Sequence, residues 1–244
     1  MSDAARAEPA PIHQSVERAA AMLSFFTVDQ PELTLAGLTT RLGASKATTH
    51  RYAMALRRVG LLRYDPARAV YTLGPRIVEL ATTALAGLRI IKVAGPHMER
   101  LVADVNETVV LSVHDGDSAV VVRVDDNTDR LVRINVRTGS RLPSGSAQGK
   151  VFAAFSGGRG AELERIRARG MSANAMVVEG ICAIAAPVFQ GDDLVAAMAL
   201  VGTTASIDTD PDAHMGRLLR ETAAALSNEL GFVNFTSQGA ANER

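Results

Sequence analysis

The stretch from Thr34 to Gly60 constrains this chain more than any other. Thr34 stands where a helix N-cap stands, ahead of Leu35, Leu38 and Leu42 at helical spacing. Gly43 stops that short helix. Ser45 caps a longer one over residues 46–59, closed by Gly60. A short helix, a glycine-containing turn and a longer helix form the helix-turn-helix pattern. Ahead of it, Ser15 precedes an apolar stripe of Val16, Ala19, Ala20, Leu23 and Phe26, which predicts a first helix broken at Asp29, Gln30 and Pro31. After Gly60 the period shortens. Residues 61–64 and 70–73 read as strands around the turn Asp65-Pro66-Ala67-Arg68, a hairpin that would serve as a wing.

At about 100° per residue, the longer helix places Thr48, Tyr52, Ala55, Leu56 and Val59 on one side, the expected core side. Lys46, His50, Ala53 and Arg57 fall opposite, with Thr49 at one border and Arg51 and Arg58 at the other. Cations and hydrogen-bonding groups on the outward face, near the helix start, are what a recognition helix offers to base edges in the major groove. Arg63 and Arg68 on the wing are placed for phosphates. The candidate DNA-binding residues are therefore Arg41, Ser45, Lys46, Thr48, Thr49, His50, Arg51, Arg57, Arg63 and Arg68. For several of these a plainer role stands beside that one. Lys46 and Arg57 serve equally as solvated charges, Arg51 as a brace for the fold, and His50 as a bystander.

Charge distribution favours the same partner. The whole chain is formally neutral. Residues 13–75, however, hold eight Arg/Lys against four acids, with no acid between Glu32 and Asp65. That is a basic head on a mildly acidic body. Cys182 is the single cysteine, so neither an internal disulfide nor a zinc knuckle is available. The opening residues lack an apolar signal core, and no apolar run nears the ~20 residues a membrane span needs. The cytoplasm is the expected location.

Pro75 opens a further helical stripe through Ile77, Val78, Leu80, Ala81, Ala84, Leu85 and Leu88 to Ile91, with a new helix expected after Gly95-Pro96. Beyond it, hairpins at 108–124 and 182–201, a strand at 131–136, helices at 147–155 and 161–169, and a closing helix at 211–230 predict an α+β sheet domain. The expected domains are a tail (1–12), a winged helix-turn-helix (13–75), a linker helix (76–94), a sensing domain (95–235) and a second tail (236–244).

The runs Gln14-Ser15-Val16-Glu17-Arg18, Ser45-Lys46-Ala47-Thr48-Thr49-His50-Arg51, Gly60-Leu61-Leu62 and Tyr71-Thr72-Leu73-Gly74 resemble the head of the isocitrate-lyase-regulator (IclR) family. The head departs from the family pattern twice: Gly37 replaces a frequent acid, and Tyr52-Ala53 replaces a pair of leucines. Gly139-Ser140-Arg141-Leu142-Pro143, Ser146-Ala147-Gln148-Gly149-Lys150 and residues 179–188 are similar to that family's effector-pocket loop, helix start and signature strand. The resemblance covers about residues 14 to 232 and implies a GAF-like α/β effector-sensing domain, a small-metabolite effector (often an organic or aromatic acid), and dimer contacts through head and linker.

Residue chemistry supports that site separately. A Gly/Ser-rich loop entering a helix offers free backbone N–H groups to a carboxylate. The candidate effector residues are Arg141, Leu142, Ser144, Gly145, Ser146, Ala147, Gly149, Cys182 and Ala199; an ordinary capped helix start is the alternative, and Arg141 serves equally as a surface charge. Resembling proteins that take very small acids carry serines on the strand before Gly202, whereas residues 197–201 here are all apolar, which favours a larger or aromatic acid. The expected partners are double-stranded operator DNA, a carboxylate effector and further copies of the chain as a homodimer or homotetramer, with no membrane. No metal, cofactor or catalytic motif is recognised; the five histidines are scattered. An alternative remains open at this point, a GAF-like redox enzyme with an accessory nucleic-acid-binding head.

Overall fold

The computed structural model describes residues 14–126, 134, 136–174 and 180–231. The chain divides into two compact units, residues 1–87 and 88–244. The tails, and most of the strand expected over 131–136, lie outside the described residues.

In the first unit α1 (Gln14–Ser24), α2 (Leu35–Leu42) and α3 (Lys46–Arg58) pack with a three-stranded sheet. Its strands are β1 (Leu33–Thr34), β2 (Leu62–Asp65) and β3 (Val70–Leu73), in the order β1-β3-β2. Local chemistry sets the element ends. Thr34 and Ser45 accept the N–H groups of Gly37 and Thr48, the bonds that N-caps make. Gly43 closes α2 in the left-handed conformation at φ 62°. The core is Met22, Phe26, Leu33, Leu38, Ala53, Leu56, Leu62 and Tyr71. Val16, expected to face inward, is 67% exposed, and the fully buried residue of α1 is Met22. Gly74 ends the wing against Gly60: a Cβ there would lie 2.0 Å from the Gly60 carbonyl oxygen, so only glycine fits. The unit closes with α4 (Pro75–Gly87), none of whose residues is buried.

The stripe after Pro75 is not one helix. It breaks at Leu88, and α5 (Arg89–Val105) then runs unbroken through Gly95-Pro96. An interior proline costs about 3 kcal/mol. Here Ile90, Ala94, Met98, Leu101, Val102 and Val105 all bury one face of α5, and that burial outweighs the lost hydrogen bond.

The second unit is a six-stranded antiparallel sheet of order β6-β5-β4-β9-β8-β7. Its strands are β4 (Thr108–His114), β5 (Ala119–Asp125), β6 (Arg141–Leu142), β7 (Ser172–Asn174), β8 (Ile181–Gln190) and β9 (Asp193–Thr203). With α5, three further helices complete it: α6 (Ala147–Phe155), α7 (Ala161–Arg169) and α8 (His214–Glu229). Side chains alternate across a strand, so each strand serves two faces. Val109, Leu111, Cys182, Ile184, Ala186, Met198 and Leu200 pack with α5 and α8 on one. Ala119, Ala185, Ala197 and Ala199 pack with Ala147, Val151 and Phe152 of α6 on the other.

Candidate nucleic-acid interface and effector site

On α3 the buried residues are Thr49, Ala53 and Leu56, spaced by four and three. This corrects the expected orientation. Ala53 and Thr49 face the core, whereas Ala55 is exposed and Val59 is 58% exposed. Close helix crossings take small side chains, and the Thr49 hydroxyl tolerates burial because it donates to the Ser45 carbonyl at 3.0 Å. Thr49 therefore holds the head together and presents nothing to a groove. Ser45 and Thr48 are likewise engaged with each other, Oγ to Oγ1 at 3.0 Å.

The outward face keeps its cations. Lys46, His50, Arg51, Arg58 and the wing residue Arg63 are exposed, and among the described residues no hydrogen bond or ion pair holds them. His50, Arg51, Met54, Ala55, Arg57 and Arg58 line one shallow depression on that face. Arg57 stands over the Tyr64 ring at 5.9 Å, tying the helix to the wing. Arg41 and Arg68 are committed elsewhere: Arg41 donates to the Phe25 carbonyl at 2.8 Å and to Gln30, and Arg68 pairs with Glu32 and with Asp65. Of the residues expected to meet DNA, Lys46, His50, Arg51 and Arg63 are the freest. Arg58, expected at the border of that face, and Met54, which the expected face assignment did not place, join them there.

The second unit gathers a different set of groups. Ser146 caps α6, its Oγ accepting the Gly149 N–H at 3.0 Å. The loop before it folds back hard on the first turn. A Cβ on Gly149 would meet the carbonyl oxygens of Pro143 and Ser144, both at 2.6 Å. Asn174 donates to the Gly145 carbonyl and pins the loop to β7. The N–H groups of Ala147 and Gln148 belong to the first helical turn, which has no intrahelical acceptor. Ala147, Gln148 and Gly149 are buried.

Ala147 rests on Ala119, Ala185, Ala197 and Ala199, a floor of methyl groups. Leu142 borders it. Two expected site residues lie elsewhere. Cys182 packs with α5 and α8 on the opposite face, since Ala183 and Ala185 occupy the α6 side of β8; burial pushes its thiol up, away from the reactive thiolate. Arg141 pairs with Asp115 and donates to Ser118 Oγ at 2.7 Å, so it fastens the turn between β4 and β5. The Ser118 and Asp117 N–H groups, aided by Arg141, hold the Asp115 carboxyl below the usual range.

The strand before Gly202 is also less uniform than it reads. Met198 and Leu200 point away from α6, and only Ala197, Ala199 and Val201 lie on its side of the sheet. Two polar residues, absent from the expected set, share that face. Ser112 pairs across the sheet with Ala197, and Ser172 with Ala185. Both are buried, and among the described residues neither hydroxyl has a hydrogen-bond partner. Among the described residues, no cluster of three His, Cys, Asp or Glu is placed to hold a metal.

These two units match two family models. Residues 15–66 match the IclR helix-turn-helix domain, and residues 82–159 and 160–228 match the bacterial transcriptional regulator IclR C-terminal domain. The chain belongs to the IclR family. It is thus a transcription regulator with a DNA-binding head and a carboxy-terminal effector domain. Among IclR relatives it is 29% identical, over 228 residues, to the DNA-binding transcriptional repressor YiaJ of Escherichia coli, covering 81% of either chain. Solved IclR structures share the fold. The IclR family transcriptional regulator of Brucella abortus superposes with TM-score 0.78 at 20% identity, over 93% of this chain and 96% of that one. An IclR homologue of Microbacterium hydrocarbonoxydans, complexed with 4-hydroxybenzoate, gives TM-score 0.72 at 23% identity, over 88% and 98%. No described helix is long and apolar enough to cross a membrane.

Proposed function

We propose that this IclR regulator binds a two-fold operator through α3 and the wing, and that an organic acid, aromatic in its preferred form, bound at the start of α6 alters its hold on DNA. The observation that carries the first half is the row of uncommitted cations on one exposed helix face, Lys46, Arg51 and Arg58, with the His50 ring among them and Arg63 on the wing. Cations already neutralised by their own fold gain little from phosphate; free ones release counterions. Two copies would bring two such helices to successive major grooves. Val78, Leu80 and Leu85, exposed on α4, a helix that buries none of its residues, support self-association as a dimer or tetramer.

The second half rests on the first-turn amides of α6 above a floor of alanines. Amides attract a carboxylate; the alanines packed beneath α6 keep its surroundings apolar, which favours an acid with an apolar or aromatic body. A relative of this fold is complexed with an aromatic acid, which favours the same class. Effector binding would pass to the head through α4 and α5, with a coupling of roughly 1–3 kcal/mol. The redox-enzyme alternative has nothing in its favour, since the one thiol is buried and kept protonated.

Operator selection from a pool of random duplexes, followed by anisotropy titration, tests the first half. Lys46→Ala and Arg51→Ala should weaken binding. Each should lower the log–log salt slope by about 0.9 for every phosphate it no longer neutralises, doubled for two heads. Unchanged slopes would remove α3 from the interface. Thermal denaturation against a panel of carboxylic acids tests the second half.

A further inference from the structure

We propose that the cleft between α7 and the outer edge of β7 binds a phosphate group, carried by the free ion or by a small phosphomonoester. This site is separate from the acid site at the start of α6 and does not depend on it.

The cleft has a volume of about 180 Å³. Sites for drug-sized ligands run to about 300–1,000 Å³, so this one suits a small group. One wall carries Arg165 and Arg169, which are four residues apart and share a face of α7. Arg165 Nε reaches the Ala161 carbonyl at 3.3 Å. Its terminal nitrogens, and the whole Arg169 guanidinium, meet no acceptor among the described residues. Glu162 borders the same wall, but Lys150 Nζ already holds its carboxylate at 2.6 Å.

The opposite wall carries Ser172, on a strand at one end of the sheet. Ser172 is 1% exposed, and its hydroxyl has no hydrogen-bond partner among the described residues. An unsatisfied buried hydroxyl costs free energy and is uncommon without a reason. Its partner on β8 is Ala185, which packs beneath α6. Paired residues project to the same face of a sheet, so Ser172 projects to the side where α7 packs against α6. Two guanidinium forks and a hydroxyl on facing walls suit a tetrahedral anion, whose oxygens point in several directions; a carboxylate offers two oxygens in one plane. Ile166, Met171 and Pro211 line the remainder and would meet the carbon body of an ester. A neighbouring cleft shares Arg169 and Pro211 but adds Asp210 and Asp212, which repel an anion. Its Arg220 is also engaged, by the Pro211 carbonyl at 2.9 Å and by Asp212. The phosphate is therefore assigned to the α7–β7 side.

The test is calorimetric titration of the full chain at constant ionic strength with inorganic phosphate, ethyl phosphate and acetate. One of the two phosphates should bind more tightly than acetate, and the tighter of them names the source. Arg165→Ala and Arg169→Ala should each weaken that binding roughly tenfold or more, and Ser172→Ala roughly threefold, with thermal midpoints showing that each variant folds. Arg159→Ala, which removes an exposed arginine outside the cleft, should bind as wild type. Binding that survives either cleft arginine substitution, that Ser172→Ala leaves unchanged, or that Lys46→Ala on the head abolishes instead overturns the inference. So does acetate binding as tightly as phosphate, an equal loss in Arg159→Ala, or no binding of either phosphate. None of these results touches the acid site at α6.

Discussion

Replacing Gly149 with alanine would put a methyl group where the structure has two backbone oxygens. The new Cβ would lie 2.6 Å from both the Pro143 and the Ser144 carbonyl oxygens. An ordinary contact needs about 3.4 Å, so the loop must retreat by nearly 0.8 Å, and backbone does not swing aside as a side chain does. Two hydrogen bonds stand in the way of that retreat. They are Ser146 N–H to the Pro143 carbonyl at 2.9 Å and Gly149 N–H to Ser146 Oγ at 3.0 Å, each worth about 1 kcal/mol. Overpacking adds about 1–3 kcal/mol, and the better helix propensity of alanine returns up to about 1. The net expectation is a loss of about 1–3 kcal/mol confined to the second unit. At roughly 2–4 °C per kcal/mol for a domain of this size, its Tm should fall by about 2–12 °C. Gly145→Ala is the internal control, because a Cβ there meets nothing within 4 Å and should change Tm by only about a degree. Differential scanning calorimetry of both variants decides the matter. A Gly149→Ala protein as stable as Gly145→Ala would refute the tight loop-on-helix packing, and with it the claim that this loop presents preorganised amides.

Two other outcomes follow from the same structure. Ser45→Ala removes the cap of α3 and should destabilise the head by about 1 kcal/mol in denaturant titration, since Ser45 Oγ takes the Thr48 N–H at 3.2 Å; an unchanged midpoint would mean that solvent caps the helix equally well. Cys182 should resist thiol reagents at neutral pH until the second unit unfolds, because burial raises its thiol above the ordinary value. A group held neutral in this way stabilises the fold fully below the unfolded thiol pKa of about 8.5 and loses that contribution as pH climbs toward the folded value. Rapid native labelling, or alkaline stability indifferent to Cys182→Ala, would contradict the burial.

Much of this regulator is legible in its sequence because much of it is locally decided. Thr34, Ser45 and Ser146 announce helix starts, since a cap is made by residues three apart in the chain. Gly43 and Gly170 announce helix ends by adopting the left-handed conformation that side chains avoid. The bounds of the sensing-domain hairpins, of α6 and of α7 are accordingly readable, as is the family.

What tertiary structure alone decided is which way each element faces and what outcompetes local preference. The rotation of α3, with Ala53 inward and Val59 outward, depends on how closely α1 and α2 approach, a quantity no periodicity contains. The passage of α5 through Pro96 is carried by apolar burial against a sheet distant in sequence. Cys182 and Ala199 read alike in a string of small residues, yet the two-residue period of β8 and β9 and their register send them to opposite layers. Ser112 looks like any strand serine until β5 and β9 flank it and leave its hydroxyl unpaired. Caps and turns are energies of a few adjacent residues, so they are written in the chain itself; faces, crossings and orphaned polar atoms are energies of surfaces that meet only after the chain has folded.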